Sequence, residues 1–179
     1  NELGTLREIK LFRNGKLKAS ADLYEFMMDG NAPDEITLEE GDLIIVSPYK
    51  NLVDIDGSVK RPMAYELKDG ETVRDLLDYA GGFAGDAYKS NIRVVRQNGA
   101  EYQVFTVETP QYDEFVMMDG DLVTVGTMID RYENKLEIKG AVYRPGIYQL
   151  GDEIKTVSQL IRKADGLKGD AFTNRALLH

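Results

Sequence analysis

The chain has 179 residues, 42% hydrophobic and 30% charged, enough to build one or two cores beneath a charged surface. The formal net charge of −9 and pI near 4.7 argue against nucleic acid, whose phosphates call for clustered Lys and Arg, and against an anionic lipid surface. There is no cysteine for a disulfide, an iron–sulfur cluster or a thiol nucleophile, and one histidine, His179, cannot supply a histidine metal cluster or a catalytic triad.

Residue 1 is Asn, and neither a signal sequence nor an apolar run of membrane-spanning length follows, so the sequence reads as a fragment or a mature form. Residues 9–15 run as a strand into Asn14-Gly15, a pair that favours a type I′ hairpin turn because both of its residues accept positive φ. Arg7, Lys10, Arg13, Lys16 and Lys18 stand out against the acidic background. On alternating strands they are expected on a solvated face, with contact to an acidic glycan or an acidic neighbour as the second reading. Glu40-Gly41-Asp42 then makes a turn into a strand at 43–46. The same pattern recurs at Asp119-Gly120-Asp121 before 122–125. These carboxylates invite a calcium reading, but no stretch supplies the ligand positions of an EF-hand loop, so the turn reading is preferred.

Val53, Ile55, Gly57 and Val59 alternate as a half-buried strand does, and Tyr65 and Leu67 mark a second short strand. Thr72 is placed to cap a helix, with Asp75 three residues on. Val73, Leu76, Leu77 and Ala80 fall at i, i+3, i+4 and i+7, one buried stripe. Gly81-Gly82 follows the helix rather than opening one, so it is a helix stop and not a phosphate cradle. Strands at 92–95 and 102–107 flank Asn98-Gly99, again a type I′ candidate. Further on, Pro145-Gly146 fits a type II turn, and Thr156 with Gln159 forms a capping box.

The elements repeat. Gly57, Arg61-Pro62 and Tyr65 match Gly140, Arg144-Pro145 and Tyr148, an offset of 83 residues (140 − 57). After one inserted residue, Thr72-Val73 aligns with Thr156-Val157, Leu76-Leu77 with Leu160-Ile161, and Gly81-Gly82 with Asp165-Gly166. Residues 9–15 resemble 92–99, and 40–46 resemble 119–125. Residues 1–50 therefore read as the second half of one unit, 51–134 as a complete unit, and 135–179 as the first half of a third. The order strand, strand, helix, strand, strand, strand predicts an α+β class of tandem β-grasp units, each with one helix packed on a mixed sheet.

The run Gly-x-Val-x-Arg-Pro-Gly-x-Tyr-x-Leu from Gly140 to Leu150, with Thr-Val-x-x-Leu-Ile-x-x-Ala-x-Gly-Leu from Thr156 to Leu167, resembles the SLBB (soluble-ligand-binding β-grasp) domain. Tandem copies occur in the outer-membrane capsule and exopolysaccharide export proteins, and the resemblance covers essentially the whole chain. Two positions depart from the pattern: Met63 replaces the turn glycine in the middle unit, and Asp165 the first glycine of the pair in the third. The resemblance implies a non-catalytic, periplasmic structural module at the outer membrane. Its expected partners are other copies of itself, the exported polysaccharide and the inner-membrane export machinery. An acidic wall would also avoid gripping an acidic polymer.

Arg61, Pro62, Arg144, Pro145 and Gly146 either present a recognition loop for a sugar or a neighbouring subunit, or form hairpin turns whose Arg pairs with a local carboxylate; the turn reading is preferred. Tyr65 and Tyr148 either stack on sugar rings or belong to the core, and the core is preferred. A soluble-ligand or carbohydrate-binding β-grasp module is the alternative function, and it calls for a deep apolar pocket with convergent polar groups. Nothing implies an enzyme or a cofactor, since the 31 acidic residues are scattered and single out no acid–base pair. The two half-units should leave strand edges unpaired. They are expected to complement each other between neighbouring chains or within one, unless the protein continues beyond both ends.

Overall fold

A computed structural model describes residues 4–30 and 37–173; Asn1 and His179 lie outside them. The chain divides into two compact units, Asn1–Met128 and Ile129–His179.

The first unit opens with β1 (Gly4–Arg13), β2 (Lys16–Ala21), α1 (Leu23–Asp29) and β3 (Leu43–Pro48), the strands forming an antiparallel sheet in the order β2-β1-β3. Asn14 and Gly15 join β1 to β2 with φ of 52° and 71°, both positive as a type I′ turn requires. The helix α1 has no counterpart among the predicted elements. Asp22 caps it by accepting the Tyr24 N–H, and Gly30 ends it in the left-handed region.

The same unit continues with β4 (Asn51–Gly57), β5 (Met63–Leu67), α2 (Val73–Tyr79), β6 (Asn91–Asn98), β7 (Glu101–Glu108) and β8 (Leu122–Val125). They form a mixed five-stranded sheet in the order β5-β4-β8-β6-β7, with β4 and β8 its parallel pair. The α+β class is therefore observed. The helix α2 lays Val73, Leu76 and Leu77 on the core side, all fully buried with Val53, Ile55, Val94, Val123 and Val125 of the sheet. Each such side chain contributes about 1.5–3 kcal/mol by leaving water. Asp75 accepts from both the N–H and the hydroxyl of Thr72. At the other end the Gly82 N–H reaches back to the Leu77 carbonyl, closing the helix as predicted.

The β6–β7 turn differs from the expected type I′ geometry. Asn98 belongs to β6 and pairs with Glu101, so the β6–β7 turn is Gly99-Ala100. Only Gly99 has positive φ, the pattern of a type II′ turn with glycine first. Gly57, the last residue of β4, is fixed by contact with a neighbouring strand. Its φ is 82°, and a Cβ there would stand 2.1 Å from the Val125 carbonyl oxygen of β8.

The second unit holds β9 (Lys135–Ile138), β10 (Gly146–Gln149) and α3 (Val157–Lys163), with β9 and β10 antiparallel. Gly146 does not sit in a type II turn. It is the first residue of β10, paired with Ile138, with φ of 153°. Met63 likewise begins β5 opposite Ile55. Met63 lacks the positive φ of Gly146, so the middle unit carries a side chain where the backbone of the second unit favours glycine. Thr156 and Gln159 close a full capping box: the Gln159 N–H reaches the Thr156 hydroxyl, and the Thr156 N–H reaches the Gln159 side chain.

Candidate functional site

The Arg-Pro turns are built alike in the two units. The Arg61 N–H donates to the Ala80 carbonyl and the Arg144 N–H to the Ala164 carbonyl, tying each turn to the end of its helix. The Tyr65 hydroxyl donates to the Arg61 carbonyl at 2.8 Å, and the Tyr148 hydroxyl to the Arg144 carbonyl at 2.6 Å. Tyr65 is buried in the core and Tyr148 half-buried, while Pro62 and Pro145 are exposed. The guanidinium groups find different partners. Arg61 lies over Gly81 and donates to the Tyr79 carbonyl at 3.0 Å, a cation on a helix C-terminus. Arg144 pairs with Asp165 at 2.5 Å. Asp165 adopts the left-handed φ of 58°, which Asp tolerates better than most residues, so it can stand where the middle unit has a glycine.

A second repeated device was read in the sequence only as a pair of turns. Asp42 grips Arg13, accepting from Nε and Nη2 at 2.7 Å each, and also accepts the Glu39 N–H at 2.9 Å. Asp121 grips Arg96 at 2.8 and 2.7 Å and accepts the Met118 N–H at 2.9 Å. In both, the second arginine nitrogen continues 2.9 Å to a backbone carbonyl, of Thr37 or Val116. Bidentate charge-assisted pairs of this kind fix geometry as well as energy. The hydrogen bond and charge of Arg13 hold the Asp42 carboxyl down to about 2. With Arg13 and Arg96 occupying their oxygens, these aspartates do structural work at the strand entrances.

Arg7 was expected on a solvated face, and the structure places it elsewhere. It is buried, and its guanidinium lies 4.4 Å from the centre of the Tyr24 ring and 4.9 Å from that of Tyr79. It donates to Glu71 at 2.7 and 2.9 Å, to Asp22 at 3.1 Å, to the Glu66 carbonyl at 2.8 Å and to the Tyr79 hydroxyl at 3.0 Å. Burial alone would lower its pKa, but Glu71, Tyr79 and Asp22 together outweigh that and keep it above the ordinary value. Burial and the hydrogen bond it donates to Glu71 push Tyr79 up. Glu66 takes the Thr5 hydroxyl on one oxygen and the Leu6 N–H on the other, and the Tyr24 hydroxyl receives the Glu66 N–H at 3.0 Å. Arg7 is thus the hub that joins β1 and α1 to β5 and α2.

Beside this hub lies an open cleft of about 660 Å³ lined by both signs of charge. Lys50 pairs with Asp69 at 2.8 Å, and Lys68 with Asp22 at 2.5 Å. These groups satisfy one another instead of converging on the cleft, which is not the apolar pocket a small-ligand module calls for. Among the described residues no set of three metal-ligating side chains converges on one point, and no helix is long and apolar enough to cross a membrane.

Residues 52–105 match the family model of the SLBB domain. The middle of this chain is an SLBB domain. Its matched span runs from β4 through the helix into β7, and so contains one Arg-Pro turn and the arginine of one clamp. Over 137 residues, or 76% of its length, the chain is 28% identical to the polysialic acid transport protein KpsD of Escherichia coli, and a second KpsD sequence from that species matches to the same extent. The match spans 23% of that protein.

Proposed function

We propose that this chain is a non-catalytic structural module of a bacterial capsule or exopolysaccharide export protein, working in the periplasm at the outer membrane. Three tandem β-grasp units would make it up: a second half at 1–50, a complete SLBB unit at 51–134 and a first half at 135–179. The observation that carries this reading is the recurrence of the same two devices around the SLBB domain. The Arg–Asp clamp at Arg96 and Asp121 recurs before the domain at Arg13 and Asp42. The turn tied to a helix end at Arg61 recurs after it at Arg144. Similarity to a polysaccharide transport protein across 76% of the chain directs the module toward export.

In this role the domains supply surface and rigidity. Repeated units offer repeated surfaces, which suit rings or stacks of identical subunits. Self-paired charges in the cleft and a net charge of −9 suit a wall that an acidic polymer slides past, with inner-membrane export machinery as the neighbouring partner. The test is an in-frame deletion of residues 51–134 in the native host, with polysaccharide assayed at the surface and inside the cell. The expected result is loss of surface polymer with accumulation inside. Unchanged surface polymer overturns the reading.

A further inference from the structure

We propose that two copies of this chain pair edge to edge through β7 of the SLBB domain, antiparallel about a two-fold axis at Val104, so that their five-stranded sheets run on as one. The inference rests on the sheet of the complete domain and not on the export role or on the units that flank it.

β7 is the outermost strand in the order β5-β4-β8-β6-β7, and among the described residues its far edge has no strand. Its backbone is set to receive one. Asn98 and Glu101 flank a two-residue turn, and such a pair exchanges both of its hydrogen bonds. The same alternation reaches the far end, where the Thr109 N–H donates to the Ser90 carbonyl at 3.1 Å. The odd-numbered residues of β7 therefore bond to β6, and Tyr102, Val104 and Thr106 direct their N–H and C=O groups away from the sheet. Between Glu101 and Glu108 runs Tyr-Gln-Val-Phe-Thr-Val, with no charge, no proline and no bulge against β6. A long, flat, apolar edge of this kind invites pairing. The edge strand β2 of the other sheet is guarded. It exposes Lys16 and Lys18, and its ladder with β1 shifts register. Lysines and bulges are the usual guards of an edge, and the centre of β7 carries neither.

The sequence of β7 is complementary to itself. An axis at Val104 sets Val104 against Val104 and Tyr102 against Thr106, so the outward N–H and C=O groups of one copy meet those of the other. The same register puts Glu101 opposite Val107 and Glu108 opposite Ala100, and no two carboxylates face each other. The sheet face away from α2 gains as well. Val104 pairs with Val95 of β6, and Val95 with Leu122 of β8, one apolar row across three strands. Val104 and Leu122 are 60% and 47% exposed, and Tyr102 beside them 73%. Across the axis this row continues into its own copy, with each Tyr102 beside the Thr106 of the other chain. A second copy is therefore the occupant that the edge fits, and two-fold pairing is the commonest association of identical chains. Each copy carries a net charge of −9, so repulsion opposes the pairing and salt assists it by screening.

A chain without native cysteines allows a direct test. A two-fold axis brings a residue beside its own copy, so Val104→Cys alone should cross-link to itself with a short bismaleimide. Lys18→Cys, on the guarded edge of β2, should not. The mass by light scattering should rise with concentration from monomer toward dimer, and added salt should favour the dimer. Val104→Lys should keep the thermal midpoint of the dilute chain and weaken dimerisation about tenfold or more. Tyr102→Lys, at a more exposed position, carries the same expectation should the first variant lose its fold. A monomer at all concentrations, equal cross-linking of Lys18→Cys, or unaltered dimerisation of the lysine variants overturns the proposal. So does association that salt weakens, which would instead mark a contact between the acidic ends of β7 and the lysines of β2. None of these outcomes touches the export reading, whose readout is surface polymer in cells.

Discussion

Arg7 shows how far a charged residue's position in a strand can mislead. The alternation of β1 identifies which residues share a face, but not that the face is covered by α1, β5 and α2. The carboxylate that holds Arg7 is 64 residues away, and Tyr79, the second ring of its sandwich, is 72. No local pattern announces either. Removing one partner of a buried ion pair strands the other, whereas exposed pairs contribute little. Arg7→Met should therefore lower unfolding stability by about 3–5 kcal/mol, because Glu71 and Asp22 lose their cation. Lys10→Met, which removes the exposed pair with Glu8, should stay within about 0.5 kcal/mol. Urea unfolding of the two variants decides it, and equal midpoints would show that the hub does not hold β1 to the SLBB domain. Tyr65 was more legible, since a repeated aromatic at one strand position most often serves the core, whereas its counterpart Tyr148 is only half-buried. What the sequence did not show is that each hydroxyl ties back to the arginine four residues earlier.

At the scale of elements, the hairpins, the helix at Thr72 and its glycine stop followed from local chemistry, because caps, turns and a 3.6-residue stripe are local properties. The short helix α1 escaped because its described side chains bury little beyond Tyr24, although Asp22 and Gly30 are ordinary cap residues. The Arg–Asp clamps escaped for a different reason. Acidic turn residues and strand arginines were each visible, but their pairing joins positions 29 and 25 residues apart. Glycines separate the two kinds of constraint well. Gly70, with φ of 89° and open space around it, is held only by its backbone angle, so Gly70→Ala should cost about 1–2 kcal/mol. Gly57→Ala adds a collision with a neighbouring strand's carbonyl, and should cost at least about 3 kcal/mol with weakened β4–β8 pairing. Thermal unfolding of both variants tests the difference, and equal losses would mean that β8 yields to a methyl group.

Across the whole molecule, two of the seven-residue helices, α2 and α3, sit in unequal surroundings, and their comparison asks whether local or tertiary terms dominate. Of the two, α3 has the fuller capping box, and Arg162 and Lys163 in its last turn complement the helix dipole. Those terms favour α3 over α2 by about 1 kcal/mol each at most. Against them, α2 buries Val73, Leu76 and Leu77 completely, whereas α3 buries none of its seven residues. At about 1.5–3 kcal/mol per side chain, burial outweighs the caps. A helix this short is in any case marginal without packing. Hydrogen exchange on the dilute chain should therefore protect the amides of Leu76 and Leu77 at least about a hundredfold more than those of Leu160 and Ile161, a difference near 2.7 kcal/mol. Equal protection would mean that capping suffices and that burial adds little to a helix of this length.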